Sequence, residues 1–86
     1  MPYIKEIYRE NYKDAISCIN IIPTKGELEF LIYTMMVIYM SDKEERYSDL
    51  HDTVYAAQHC ADEFRRRRLD KREDSAREDN GDITNG

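Results

Sequence analysis

The sequence predicts an all-α protein, in which a short N-terminal helical region precedes an antiparallel helical hairpin. Apolar residues recur at three- and four-residue steps in residues 3–20 and 48–64, and residues 28–40 are apolar almost throughout. Glycine and proline are scarce, with 3 and 2 in 86 residues, so breaks between helices are few. We expect one helical domain over residues 1–68, followed by a charged helical extension or disordered tail over residues 69–86.

The first helical region spans residues 3–20. Its apolar face is formed by Ile4, Ile7, Tyr8, Tyr12, Ala15, Ile16 and Ile19. Asn11, followed by Asp14, is a candidate cap for a second helix, so we expect a bend near residues 10–12. Pro23 keeps the preceding residue out of helical geometry and ends the region.

Thr24 and Glu27 give the clearest local signal, a T-x-x-E capping box before the apolar run. In such a box the Thr24 hydroxyl accepts from the backbone N–H of Glu27, and the Glu27 carboxylate accepts from the N–H of Thr24. We expect the second helix to run from about residue 25 to residue 41.

Residues 28–40 contain only two plainly polar side chains, Glu29 and Thr34. A helix that is apolar on every side must be surrounded on every side, and an 86-residue chain has few elements that can do this. We therefore expect the hairpin to assemble into a compact homo-oligomer.

Ser48 is the expected N-cap of the third helix, with acidic residues in the first turn. One narrow apolar stripe follows, formed by Leu50, Val54, Ala57, Ala61 and Phe64. The stripe favours packing against the second helix. Beyond Phe64 charges of both signs alternate, and Asn80 with Gly81 would stop any helix that reached them.

The net charge of −5 lies in the body of the chain, because residues 1–62 carry a balance of −5 and residues 63–86 are neutral. An acidic body argues against binding DNA or RNA, which requires a basic face. It is compatible with a small anionic ligand in a locally basic pocket.

The two cysteines, Cys18 and Cys60, have no disulfide framework spacing. Residues 1–6 lack the apolar core of a signal peptide, and the apolar run is shorter than the roughly 20 residues that span a bilayer. We expect a soluble intracellular protein without a membrane partner. No histidine and cysteine pair has a zinc spacing, so neither a metal nor another cofactor is expected.

The start of the second helix is a candidate phosphate site. Helix N-termini present unpaired N–H groups, Lys25 adds a positive charge, and Gly26 lets a ligand approach the backbone. The alternative, an ordinary capping box beside an exposed lysine, is the commoner case among proteins.

The chain has seven tyrosines, and a phenol can stack on a nucleobase. Tyr3 and Tyr8, on the short N-terminal segment, are the freest to face a ligand. The alternative is that tyrosines fill half-buried interface positions, which fits Tyr33 and Tyr39 best. Residues 65–68 are four arginines that point in different directions, so one or two at most can serve one site, and a solvated surface is the alternative.

Two other classes of function remain open from the residues. The apolar helix could dock on a host protein, as in a helical inhibitor or adaptor. A magnesium-dependent nucleotide hydrolase would use Glu44, Glu45 and Asp49, but their spacing is poor and no nucleophile or Gly-rich phosphate motif is present. Catalysis is the least supported class, so we expect a protein that is not an enzyme.

Three short motifs in the same order give the chain a resemblance to a known family. It begins Met-Pro-Tyr-Ile-Lys at residues 1–5, opens its apolar helix with Gly-Glu-Leu at 26–28, and continues with Tyr-Ser-Asp-Leu at 47–50 into Glu-Phe-Arg at 63–65. The chain resembles the phage anti-CBASS cyclic-nucleotide sponge family over nearly its whole length through Arg68, with a looser echo at residues 79–82.

The resemblance implies small helical hairpins that assemble into homohexamers and act in the host bacterial cytoplasm. Such proteins sequester cyclic dinucleotides and trinucleotides without cleaving them, so the immune effector is not activated. The resemblance implies that Tyr8 stacks on a base, with Tyr12 as the competing position, and that Lys25 meets phosphate. It also implies a separate trinucleotide site, for which the candidates are Asn11, Thr24 and Arg67.

Overall fold

The computed structural model of the chain describes residues 2–81 and residue 83. In order they form α1 (Glu6–Glu10), α2 (Lys13–Ser17), α3 (Lys25–Met40), α4 (Tyr47–Phe64), a π-helical segment (Arg65–Leu69) and α5 (Asp70–Asn80). No strand occurs among the described residues, so the all-α fold class is confirmed. Residue 1 of the predicted domain and residues 82 and 84–86 of the predicted tail lie outside the described residues.

The break in the helix expected near residues 10–12 is confirmed, because α1 ends at Glu10 and α2 begins at Lys13. The prediction that Asn11 caps α2 is wrong: Tyr12 occupies the N-cap position, and no side chain bonds the first turn. Asn11 has helical backbone angles, φ −62° and ψ −21°, whereas a capping side chain needs an extended backbone. Asn11 instead closes α1, its N–H donating to the carbonyl of Tyr8 at 3.2 Å.

The capping box at the start of α3 is confirmed in its main contact. Thr24 is extended, with φ −131° and ψ 157°, and its hydroxyl oxygen accepts from the N–H of Glu27 at 3.1 Å. The second contact differs from the expected one, because the Glu27 carboxylate accepts from the Thr24 hydroxyl at 2.8 Å and not from its backbone N–H. The Thr24 hydroxyl therefore both accepts and donates a hydrogen bond in the first turn of α3.

Side chains also close the C-terminal end of α3. The hydroxyl of Ser41 donates to the carbonyl of Ile38 at 2.6 Å, and the ammonium of Lys43 donates to the carbonyl of Tyr39 at 2.8 Å. These donors satisfy carbonyls that have no partner within the helix. Both ends of α3 are thus held by local hydrogen bonds.

The prediction that Ser48 caps α4 is wrong by two residues. Arg46 is the N-cap residue, with φ −67° and ψ 154°, and its carbonyl accepts from the N–H of Leu50 at 3.0 Å. Glu45, directly before it, has a positive φ of 48°, and the extended backbone of the cap follows at Arg46. Ser48 is consequently the second residue of α4.

The helix that begins at Tyr47 continues through the π segment into α5. It ends at Asn80, and Gly81 takes a φ of 84°, which an L side chain rarely adopts. The N–H of Gly81 donates to the carbonyl of Arg77 at 2.8 Å. The stop predicted at Asn80 and Gly81 is therefore confirmed, whereas the domain boundary at residue 68 stays a prediction.

Packing within one chain is sparse. Helix α3 packs against α4 and α1 against α2, but no Cα atom of α1 or α2 lies within 8 Å of one in α3 or α4 among the described elements. Thr53 on α4 is buried, at 6% exposure, and its hydroxyl donates to the carbonyl of Asp49 at 2.8 Å. No apolar side chain of the described residues is buried, and the apolar side chains of α3 are exposed apart from Leu31, Met36 and Met40, which are half-buried.

The dimensions agree with an open chain. The radius of gyration is 17.3 Å, whereas a compact domain of this length would have about 12 Å. The accessible surface is 8295 Å², against roughly 5,400 Å² for a compact monomer of this mass. One chain alone therefore leaves its apolar surface uncovered.

Candidate functional site

The start of α3 presents an exposed corner, which we define as Thr24, Lys25, Gly26 and Glu27 and in which Lys25 is the one cation beside the Glu27 carboxylate. The Lys25 side chain is 90% exposed, and its ammonium lies 3.0 Å from a carboxylate oxygen of Glu29. That ion pair is at the surface, so it holds the lysine only weakly. Lys25 therefore remains available to another anion.

The backbone of the corner is also accessible. A Cβ built on Gly26 would meet the Thr24 hydroxyl oxygen at 3.9 Å and nothing closer, so the site has room at this position. The first N–H groups of an α-helix lack intrahelical partners and carry partial positive charge. The capping hydroxyl serves the N–H of Glu27, which leaves the amides of Lys25 and Gly26 to face an anionic group such as phosphate.

The candidate residues of the N-terminal segment lie on a different part of the chain. Tyr8 is exposed on α1, Asn11 closes that helix, and Tyr12 stands at the junction with α2. Tyr12 borders a groove of about 520 Å³ together with Ile4 and Ile16. Tyr8 does not border that groove, so the structure gives the two tyrosines different surroundings.

One chain does not bring these residues to the corner at the start of α3. Helix α1 carries Tyr8, and Tyr12 directly precedes α2; no Cα atom of either helix lies within 8 Å of one in α3 in the described structure. The predicted stacking residue and the predicted phosphate residue, Lys25, are therefore separate within one chain.

Arg67, in the π segment, belongs to a second polar cluster that we call the Glu63 clasp (Tyr3, Glu63, Arg66, Arg67). A single oxygen, Oε1 of Glu63, accepts from the Tyr3 hydroxyl at 2.7 Å and from Nε of Arg67 at 3.0 Å. The same oxygen accepts from Nη2 of Arg66. The guanidinium of Arg67 also lies 5.1 Å from the centroid of the Tyr3 ring, within cation–π range.

Electrostatics within the Glu63 clasp follow from those contacts. The hydrogen bond from Tyr3, together with the bonds from the two arginines, holds the pKa of Glu63 below its usual range. The bond to Glu63 raises the pKa of the Tyr3 phenol. The cluster is therefore arranged around an ionised carboxylate and a protonated phenol.

Sequence reasoning missed the Glu63 clasp. It treated Tyr3 as a free aromatic residue and gave Glu63 no site role. No local signal was available, because Tyr3 and Glu63 are 60 residues apart. The short motifs that contain these two residues, at residues 1–5 and 63–65, do not indicate that Tyr3 and Glu63 are in contact.

Two further features complete the described surface. A pocket of about 620 Å³ lies between α3 and α4, lined mainly by apolar side chains that include Met36, Met40 and Leu50. Four aromatic rings follow one another along α4, from Tyr47 through His51 and Tyr55 to His59, with neighbouring centroids 4.3, 5.7 and 6.4 Å apart. No group of three potential metal-binding side chains occurs in the described part of the chain.

The fold and these two clusters define a small all-helical protein that carries an exposed lysine at the start of an apolar helix. The chain belongs to the family described as domain of unknown function DUF6899, whose pattern matches residues 1–83. No curated protein is significantly similar to it, nor is any solved structure. None of the helices described is long and apolar enough to cross a membrane.

Proposed function

We propose that the protein is a non-enzymatic sponge for cyclic dinucleotide and cyclic trinucleotide messengers. By holding these messengers in the cytoplasm of a phage-infected bacterium, it would prevent activation of the CBASS immune effectors. The observation that carries the proposal is the corner at the start of α3, where the exposed ammonium of Lys25 stands beside first-turn amides. The resemblance to phage anti-CBASS sponges supplies the class of ligand.

The uncovered apolar surface supports assembly of the chain with itself. Helix α3, with α4 as the other arm of an antiparallel hairpin, exposes large apolar side chains in the single chain. Covering them with other copies, in the homohexamer that the resemblance implies, would supply the missing core. Assembly would also bring α1 of one chain to α3 of another, which one chain does not do.

Symmetry relates the assembly to the ligand. A two-fold axis near the start of α3 would place two copies of Lys25 face to face. A cyclic dinucleotide carries two phosphates and two bases, so it matches such a pair. Attraction between Lys25 and phosphate is compatible with the net charge of −5, because only the residues around the ligand have to be positively charged.

We assign the roles as follows. Lys25 and the amide of Gly26 hold phosphate, and Tyr8 stacks on a base, with Tyr12 as the alternative for that role. The capping box keeps the turn in place. A second site, for cyclic trinucleotides, uses Asn11, Thr24 and Arg67.

The experiment that tests the proposal is native mass spectrometry of the protein with a mixed panel of cyclic dinucleotides and trinucleotides. We expect a homo-oligomer that retains cyclic nucleotides in fixed stoichiometry, and we expect the ligands to be recovered intact after denaturation. Recovery of cleaved nucleotide would show an enzyme instead. A chain that binds none of the panel would contradict the proposal.

Two pairs of variants test the residue roles. Lys25→Ala and Tyr8→Ala are expected to abolish capture of a cyclic dinucleotide in calorimetry while the oligomer stays intact. The matched controls are Lys71→Ala on α5 and Tyr47→Ala at the start of α4, which should bind as the original chain does. Undiminished binding by both Lys25→Ala and Tyr8→Ala would reject these assignments.

The exposed surface of α3 also fits a second function, docking on a host protein as an inhibitor or adaptor. Light scattering of the purified chain separates the two possibilities. A stable oligomer is expected of the sponge, whereas a clean monomer would favour the docking function.

A further inference from the structure

The Glu63 clasp joins two parts of the chain that carry candidate residues of one ligand site. Tyr3 precedes α1, whose end is closed by Asn11, while Arg67 lies in the π segment beyond α4. The bond from the Tyr3 hydroxyl to Glu63, at 2.7 Å, connects these parts. It therefore fixes where Arg67 stands relative to the N-terminal segment.

Glu63 is well suited to orient arginines. Its side chain is only 16% exposed, whereas those of Arg66 and Arg67 are mostly exposed, so the carboxylate is covered and the guanidinium groups reach solvent. Positions three and four residues after Glu63 lie on the same side of a helix, which explains why it reaches both arginines. A nearly covered carboxylate with three donors has little freedom to turn.

The way in which Arg67 is held leaves part of its guanidinium unused. Arg67 donates its Nε–H to Glu63, so this bond does not involve the two terminal guanidinium nitrogens, which can bind one phosphate together. The Tyr3 ring, 5.1 Å from the guanidinium carbon, limits the planes that the group can adopt. An arginine has fewer accessible orientations when its Nε is hydrogen-bonded and its guanidinium lies against an aromatic ring. Such an arginine is partly ordered for bidentate contact with phosphate before the ligand binds.

We propose that Tyr3 and Glu63 are positioning residues that orient Arg67 toward a phosphate of a cyclic trinucleotide. This inference rests on the proposed function, because it takes the trinucleotide site as given and names what prepares it. Neither residue touches the ligand. Their effect comes from ordering Arg67 before binding, which removes part of the entropic cost of ordering it in the complex.

The test uses Tyr3→Phe, which removes the hydroxyl and keeps the ring, and Glu63→Gln, which keeps the shape and removes the charge. Each is expected to weaken binding of cyclic triadenylate about 3- to 10-fold, the effect of leaving one long side chain unordered. Binding of a cyclic dinucleotide, assigned to the corner at the start of α3, should stay within about twofold. Tyr47→Phe and Glu73→Gln are the matched controls and should change neither affinity.

A double-variant comparison separates positioning from a general structural effect. In a chain that already carries Arg67→Ala, adding Tyr3→Phe should cause no further loss of trinucleotide binding. An equal loss with and without Arg67 would overturn the inference. Tighter trinucleotide binding by Glu63→Gln would also overturn it, because Glu63 would then be competing with the phosphate.

Nuclear magnetic resonance of the free protein gives a readout that needs no ligand. The Nε–H of Arg67 should exchange with solvent faster in Tyr3→Phe and Glu63→Gln than in the original chain, because its acceptor is less ordered or no longer charged. Exchange at the original rate in both variants would overturn the inference. If the original chain binds neither class of cyclic nucleotide, the proposed function fails, and the inference fails with it. If it binds both and the variants bind equally well, only the inference fails.

Discussion

The Thr24 hydroxyl of this protein is both acceptor and donor for one residue, Glu27. It accepts from the Glu27 N–H at 3.1 Å and donates to the Glu27 carboxylate at 2.8 Å. This reciprocal contact sets the first turn of the most apolar helix in the chain. It also sets the position of Lys25 and Gly26, which the proposed function requires.

Replacing Thr24 by alanine is expected to lower the free energy of unfolding by about 1 kcal/mol, because the cap of α3 is lost. The measurement is urea unfolding at a fixed chain concentration. Thr24→Ser is the matched control and should retain most of the stability, since the capping hydroxyl remains. Equal stability of the alanine and serine variants would show that the cap contributes nothing.

Replacing Gly26 by alanine is expected to separate stability from binding. The added Cβ has space, with the nearest atom at 3.9 Å, and alanine favours the helix over glycine by up to about 1 kcal/mol. The same methyl group would stand where the phosphate approaches the backbone. We therefore expect a higher unfolding midpoint in urea and weaker cyclic dinucleotide binding in calorimetry.

Ser48→Ala is the matched control for Gly26→Ala, because Ser48 holds the same position, the second residue, in α4. It should leave ligand binding unchanged. If Gly26→Ala binds the dinucleotide as tightly as the original chain, the phosphate does not approach this part of the backbone.

Replacing Glu45 by glycine is expected to stabilise the protein. Glu45 has a φ of 48°, in the left-handed region that is strained for residues with a side chain. Relief of that strain, less the added freedom of glycine in the unfolded chain, leaves a gain of about 0.5 to 1 kcal/mol. Thermal unfolding measures it, and Glu44→Gly, at a neighbouring position with negative φ, should destabilise instead.

The Glu63 clasp is expected to make stability depend on pH. The lowered pKa of Glu63 means that folding favours its ionised form, chiefly through the bond from Tyr3. The resulting stabilisation is complete at pH values above the pKa that Glu63 has in the unfolded chain. It is lost as the pH falls through the lowered pKa of the folded state.

The measurement compares unfolding midpoints of the original chain and Glu63→Gln between pH 7 and pH 3. The original chain should be the more stable at pH 7, and the difference should shrink as the solution becomes acidic. Glu73→Gln, on the exposed surface of α5, is the control. A difference between the original chain and Glu63→Gln that stays constant with pH would contradict the assigned electrostatics.

The sequence was sufficient for features that depend on neighbouring residues. The all-α class, the start of α3 at Thr24 and the stop at Gly81 follow from periodicity, capping and backbone freedom, which act within a few residues. The cap of α4 was mispredicted because a serine cap contributes only about 1 kcal/mol, which the turn at Glu45 and Arg46 overrides. Local preference is a weak guide where a tight turn fixes the backbone.

The candidate site was predictable only in part. The capping box at Thr24 is a local feature and was predicted, whereas the Glu63 clasp joins Tyr3 to Glu63 across 60 residues and has no local signature. The π segment was also not anticipated, because no residue pattern distinguishes it from an ordinary helix. Tyr8 and Lys25 lie on elements that do not pack against each other, so no local pattern relates their positions.

The uncovered surface of α3 bears on the conditions under which the protein folds. A 16-residue helix is marginal in water by itself, and in one chain this helix contacts only α4. If its remaining surface is covered by other copies, folding and association are one equilibrium, and the melting temperature rises with the amount of protein. Scarce chains would be unfolded and open to proteases, so the cell would contain a working population only after synthesis had passed a threshold.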